Sequence, residues 1–149
     1  MHNERGLAIA NCARTYIGTP YQHQARLKGV AIDCVGLIIE VAKELEYVPK
    51  EFNYSNYSRV PDGKLLIERL ENHMIPVSQQ EMQVGDVICI SFSKHPQHVG
   101  ILGDYRHGGF SIIHAAMPPG KVIETRLLFG NLMQFKGAYR FPEHRLNKL

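Results

Sequence analysis

Residues 33–46, Asp-Cys-Val-Gly-Leu-Ile-Ile-Glu-Val-Ala-Lys-Glu-Leu-Glu, decide how the rest of the chain is read. Leu37, Ile38, Val41 and Leu45 recur at helical spacing, while Glu40, Lys43 and Glu44 take the opposite side. The pattern predicts an amphipathic helix that packs on a core and ends before Pro49. Asp33 stands where a side chain can cap free N–H groups of the first turn. Cys34 then falls at the loop-to-helix junction, where unpaired N–H groups and the positive end of the helix dipole favour a thiolate. The same groups can receive the oxyanion that forms when a thiolate attacks a carbonyl. Gly36, with no side chain, is expected to leave room beside the thiol. A buried core cysteine is the competing reading of Cys34.

Upstream, Ile9, Ala13, Tyr16 and Ile17 predict a first helix over residues 3–17, stopped by Gly18-Thr19-Pro20. Residues 21–33 show no period and read as a loop. Tyr21, just after the rigid Gly-Thr-Pro turn, is placed to offer a hydroxyl near Cys34. Residues 50–63 are polar, aromatic and turn-rich, an expected irregular segment rimming a cleft, with residues 50–62 a candidate to gate it. A short helix is expected over residues 64–72. From Val84 onward the runs VGDVICISF, HVGILGD, GFSIIHAAM, KVIETRL and FKGAYRF are β-branched or aromatic and separated by turn residues. They predict a small, mostly antiparallel sheet. Helices first and strands second make an α+β fold of segregated layers, in one domain over residues 1–149.

Composition supports a folded chain. With 44% hydrophobic and 21% charged residues it belongs with globular proteins. The net charge of +3 comes from scattered lysines and arginines, with no stripe that would track a nucleic-acid backbone. Three cysteines, Cys12, Cys34 and Cys89, leave at least one thiol unpaired. The N-terminal residues lack the apolar core of a signal peptide, and no run is long enough to span a membrane. Synthesis in the cytoplasm is therefore expected, with action elsewhere requiring another route out.

A nucleophilic cysteine needs a base, and the base needs a third group to hold it. Of eight histidines, His98 leads the strand HVGIL and His114 closes the strand FSIIH. Adjacent antiparallel strands would bring them together, one imidazole taking the thiol proton and the other orienting it. A zinc site drawn from His95, His98, His107, His114 or Cys89 is disfavoured, because the spacings match no standard set. No glycine loop matches a phosphate-binding fingerprint. No metal and no cofactor is expected.

The ordered set GTPY (18–21), DCVGLI (33–38), GDVI (85–88), HVGI (98–101) and IHAA (113–116) resembles the NlpC/P60 cell-wall peptidases, especially small single-domain members of phage or prophage type. The resemblance implies a minimal papain-like fold with Cys34 as nucleophile, His98 as base and His114 as orienting residue. It implies Tyr21 on the oxyanion or substrate side; Asp33, besides capping the helix, is read here as a residue that can hold a substrate amine. The implied substrate is the peptide stem of peptidoglycan, cut between γ-D-glutamate and diaminopimelate or lysine. Implied partners are phage tail proteins, with the chain virion-associated or released to act on the wall. Many members carry serine after the nucleophile; Val35 stands here and cannot hydrogen-bond, so stem recognition is expected to differ. Pro118-Pro119-Gly120, after His114, is expected as a stiff turn at the cleft edge. The rival readings are an amidase or acyltransferase with the same fold, and a catalytically silent tail or envelope adaptor.

Overall fold

The computed structural model describes residues 3–50, 71–92, 97–130 and 133–143. Two helices lie against a six-stranded sheet, as the α+β reading requires. Helix α1 (Glu4–Arg14) is capped by Asn3, whose side chain accepts from the Gly6 N–H at 2.9 Å. It ends earlier than its periodicity suggests, because Thr15, Tyr16 and Ile17 donate to carbonyls three residues back in a tightened turn. The Thr15 hydroxyl also bonds to the Cys12 carbonyl at 2.6 Å.

The stretch read as a loop holds a small hairpin, β1 (Arg26–Leu27) and β2 (Ala31–Ile32). Two-residue strands have no sequence period; tertiary contacts fix them. Gly29 N–H donates to the Thr19 hydroxyl at 3.0 Å, and Ile32 N–H to the Pro20 carbonyl at 2.8 Å. Helix α2 (Cys34–Glu44) follows directly.

The large sheet comprises β3 (Ile75–Val77), β4 (Val87–Ser91), β5 (Gln97–Asp104), β6 (Phe110–Ala116), β7 (Lys121–Arg126) and β8 (Gln134–Arg140). Its order is β3-β8-β4-β5-β6-β7, antiparallel throughout. Strand β3 was not legible as a strand, since it is short, contains Pro76 and leaves Ile75 half exposed. The register shifts between Cys89 and Ile90 of β4, where β8 carries one extra residue. Of the helix expected over 64–72, residues 64–70 lie outside the described residues, as does the expected rim segment apart from Lys50; residues 71–73 are helical.

Both faces of the sheet are apolar. Val87, Cys89, Val99, Ile101, Ile113, Ala115 and Val122 pack with α1 and α2 in the main core. Ile88, Ile90, Leu102 and Ile112 form a smaller cluster on alternate positions, covered by Met82, Phe92, Phe110 and Phe135. Each fully buried isoleucine contributes about 1.5–3 kcal/mol. Polar clamps fix the layers. Arg14 on α1 bonds Glu124 of β7 and Asp104 of β5, each at 2.8 Å, and the Ser111 hydroxyl donates to Glu124 at 2.6 Å. Arg140 grips Asp86 through Nε and Nη2 at 2.8 and 2.9 Å.

The two sheet edges are finished differently. On β3, Pro76 offers no N–H. On β7, residues 18–21 run alongside: Gly18 N–H donates to the Val122 carbonyl and Val122 N–H to the Thr19 carbonyl, both at 2.9 Å. No helix among the described residues is long and apolar enough to cross a membrane.

Candidate active site

Helix α2 packs across β5 and β6 and so carries its first residue, Cys34, to the start of β5. The N-cap is Asp33, almost fully buried. Its Oδ1 accepts from Gly36 N–H at 2.7 Å and its Oδ2 from Gln24 N–H at 2.5 Å, with His23 Nδ1 at 3.8 Å. The carboxylate therefore starts the helix and fastens the preceding loop, with Gln24 held at φ +64°. Gly36 serves that loop rather than the thiol: a Cβ there would meet the Ala25 carbonyl oxygen at 2.6 Å and Asp33 Oδ1 at 3.0 Å.

Cys34 is partly exposed and unpaired. Its sulfur accepts from the backbone N–H groups of Val99, Val35 and Cys34 itself, which favour the thiolate. Burial works against them and wins. Desolvation first, and the Asp33 carboxylate second, push the thiol up to about 12. The helix terminus alone thus does not yield a resting thiolate, as its position in the sequence suggests; the low-dielectric setting keeps the proton on sulfur. Val35 turns into the main core.

His98 and His114 come together as expected for neighbouring strands. His98 Nε2 and His114 Nδ1 lie 2.8 Å apart, with the rings edge to face. Gly100 allows the approach, since a Cβ there would meet Ile112 Cγ1 at 2.6 Å and His114 Cβ at 3.0 Å. Burial holds His98 down to about 3, helped by His114, and holds His114 down to about 4. Both imidazoles are neutral in the resting protein. Phe92, at the end of β4, sets its ring 5.6 Å from that of His98. No motif marks Phe92; pairing the two hairpin strands beyond Ile90↔His98 would have found it.

Tyr21, like Cys34, packs against the main core, and its N–H donates to the Gly120 carbonyl at 2.8 Å. The Met117–Gly120 turn thereby meets the loop leading to the nucleophile helix. Among the described residues no three or more His, Cys, Asp or Glu side chains are grouped to hold a metal ion. His95, the first residue of the disfavoured zinc set, lies outside them.

A cysteine at a helix N-terminus, packed on a small antiparallel sheet that carries two joined histidines, belongs to a papain-type fold. The sequence profile of the NlpC/P60 family matches residues 18–138. The chain belongs to the NlpC/P60 family, a family of peptidases. Among solved structures it is similar to NlpC1 from Trichomonas vaginalis, with a TM-score of 0.67 and 19% identity over 95% of this chain and 45% of that one. It spans less than half the length of that protein. The NlpC/p60 domain of the peptidoglycan hydrolase SagA matches with a TM-score of 0.60 and 24% identity, over 91% of this chain and 98% of the other. The P60 domain of an antigen from M. avium subspecies paratuberculosis gives 0.58 and 19%, over 94% and 97%. At these identities the likeness is one of fold. No curated protein matches the chain.

Proposed function

We propose that the protein is a cysteine endopeptidase that cuts the peptide stem of peptidoglycan, at the bond between γ-D-glutamate and diaminopimelate or lysine. The observation that carries this reading is the 2.8 Å contact of His98 Nε2 with His114 Nδ1, made at the strand where the Cys34 sulfur meets the Val99 N–H. With Nε2 engaged, Nδ1 of His98 is the nitrogen left to serve as base. It takes the Cys34 proton as the sulfur attacks the amide carbon, so thiolate and imidazolium arise together during the step. The oxyanion is received by the Cys34 backbone N–H, with Tyr21 on the same side. His98 returns its proton to the leaving amine, the thioester forms, and water attacking through the same base releases the acid and restores the thiol.

In this reading Asp33 acts through the helix, as a cap, and Val35 contributes packing. Recognition of a free stem amine is correspondingly weak, so stems with blocked and free N-termini are cut at similar rates; a strict need for the free amine would sink this part. The setting we infer, a module carried by a virion or released by lysis with tail proteins as partners, rests on the resemblance to small tail-associated members. Finding the chain in purified particles tests it.

One observation favours a second reading, a silent adaptor: a thiol held near 12 is what an inert cysteine shows. The product mass spectrum of purified peptidoglycan, digested by wild type and by Cys34→Ala, decides between them. Stem fragments ending in γ-D-glutamate that vanish in the variant support the endopeptidase; no fragments from either protein support the adaptor.

A further inference from the structure

His114 is only 4% exposed, and its ring has two nitrogens to satisfy. Nδ1 meets His98; Nε2 is buried with no hydrogen-bond partner among the described residues. A neutral imidazole carries one N–H and one lone pair, and the bond made by one nitrogen fixes what the other carries. At His114 no described residue supplies the fixing bond. Charge does not settle the matter either, because burial keeps both rings neutral down to about pH 4.

Two arrangements of the same protons are then available. In the first, His98 donates from Nε2 to Nδ1 of His114, so His98 Nδ1 is bare and can accept the thiol proton; His114 holds its own proton on Nε2. In the second, His114 donates from Nδ1 to His98 Nε2, and His98 holds a proton on Nδ1, where a base is needed. Each arrangement keeps one bond between the rings and leaves one unmatched atom at the same buried place. It is a donor in the first and an acceptor in the second.

We propose that the His98–His114 pair is a two-tautomer switch whose control point is the buried Nε2 edge of His114. This rests on the assignment of His98 as base. Passing from the second state to the first moves the shared proton across the bond, removes one from His98 Nδ1 and adds one at His114 Nε2, with water as carrier and the total unchanged. An acceptor oxygen reaching Nε2 of His114 favours the competent state, and a donor disfavours it. His114 is a positioning residue, and the rate scales with the fraction of protein in the first state: with equal populations, locking that state raises turnover about twofold.

The test is long-range 1H–15N correlation of the imidazoles in the full chain, for wild type, Cys34→Ala and His114→Glu, whose carboxylate only accepts. In wild type and Cys34→Ala we expect His98 nitrogens midway between protonated and bare values, or two sets of resonances. In His114→Glu, His98 collapses to one form with the proton on Nε2. A single His98 tautomer in wild type overturns the proposal. If His114→Glu does not fold, the other two spectra decide alone. The spectra need no turnover. Mixed tautomers without wall cleavage would remove the peptidase reading and leave the switch; one tautomer with Cys34-dependent cleavage would do the reverse.

Discussion

Two polar clusters of the molecule treat their groups in opposite ways. At the α1–sheet junction, Arg14, Glu124, Asp104 and Ser111 match donors to acceptors through short bonds. At the β5–β6 pair, two imidazoles share one bond and one nitrogen is left without a partner among the described residues. The first arrangement stabilises the fold and offers nothing to a substrate. The second is costly to bury, and a buried polar atom left without a partner calls for an explanation beyond architecture.

That division predicts separable losses. Cys34→Ala should cost on the order of 10⁶ in kcat on peptidoglycan while leaving the thermal midpoint unchanged or higher, measured by fragment release and calorimetry. His114→Ala should lower kcat by roughly 10²–10⁴ with little change in KM, because it disorders the base and not the substrate. Arg14→Ala should act on the other region. It leaves activity per folded molecule intact but costs about 1–3 kcal/mol in denaturant titrations, by stripping charged hydrogen bonds from Glu124. An activity loss matching that of His114→Ala would erase the distinction.

The smallest effect is in pH. His98 and His114 have folded values of about 3 and 4, below the ordinary 6.5. Between those limits the unfolded chain binds protons that the folded one refuses. Their contribution is therefore complete above about 6.5 and is lost as pH falls toward 4 and then 3. Glu124 is held below its usual range, first by its hydrogen bond to Arg14, so its contribution is complete above the ordinary value of 4.5 and is lost as pH falls below it. Denaturation midpoints from pH 7 to 4 should fall in wild type and fall less in His114→Gln. The turnover profile should stay flat through neutrality, with its acid limb well below the normal histidine range.

Much of this was legible in the sequence, for reasons of periodicity. Asp33, the spacing of Leu37, Ile38 and Val41, and the five β-branched runs each follow from local rules. So does the meeting of His98 and His114, once their strands are adjacent. What was not legible depends on distant parts of the chain. The β1–β2 hairpin is fixed by Thr19 and Pro20, and β3 by its pairing with β8. Gly36 is required by the Ala25 carbonyl, which no helical pattern reveals. The protonated state of Cys34 depends on burial, and burial is set by packing that spacing alone does not encode.

Residues 18–21 hydrogen-bond along β7 on their way to the nucleophile helix, and Pro76 blunts β3 at the far side. An open strand edge is a template for another chain, so these two devices keep the sheet from growing by self-association. The segment that leads toward helix α2 is thus also a guard of colloidal stability. Variants made at Gly18–Pro20 to tune catalysis will have to be watched first for aggregation at high concentration.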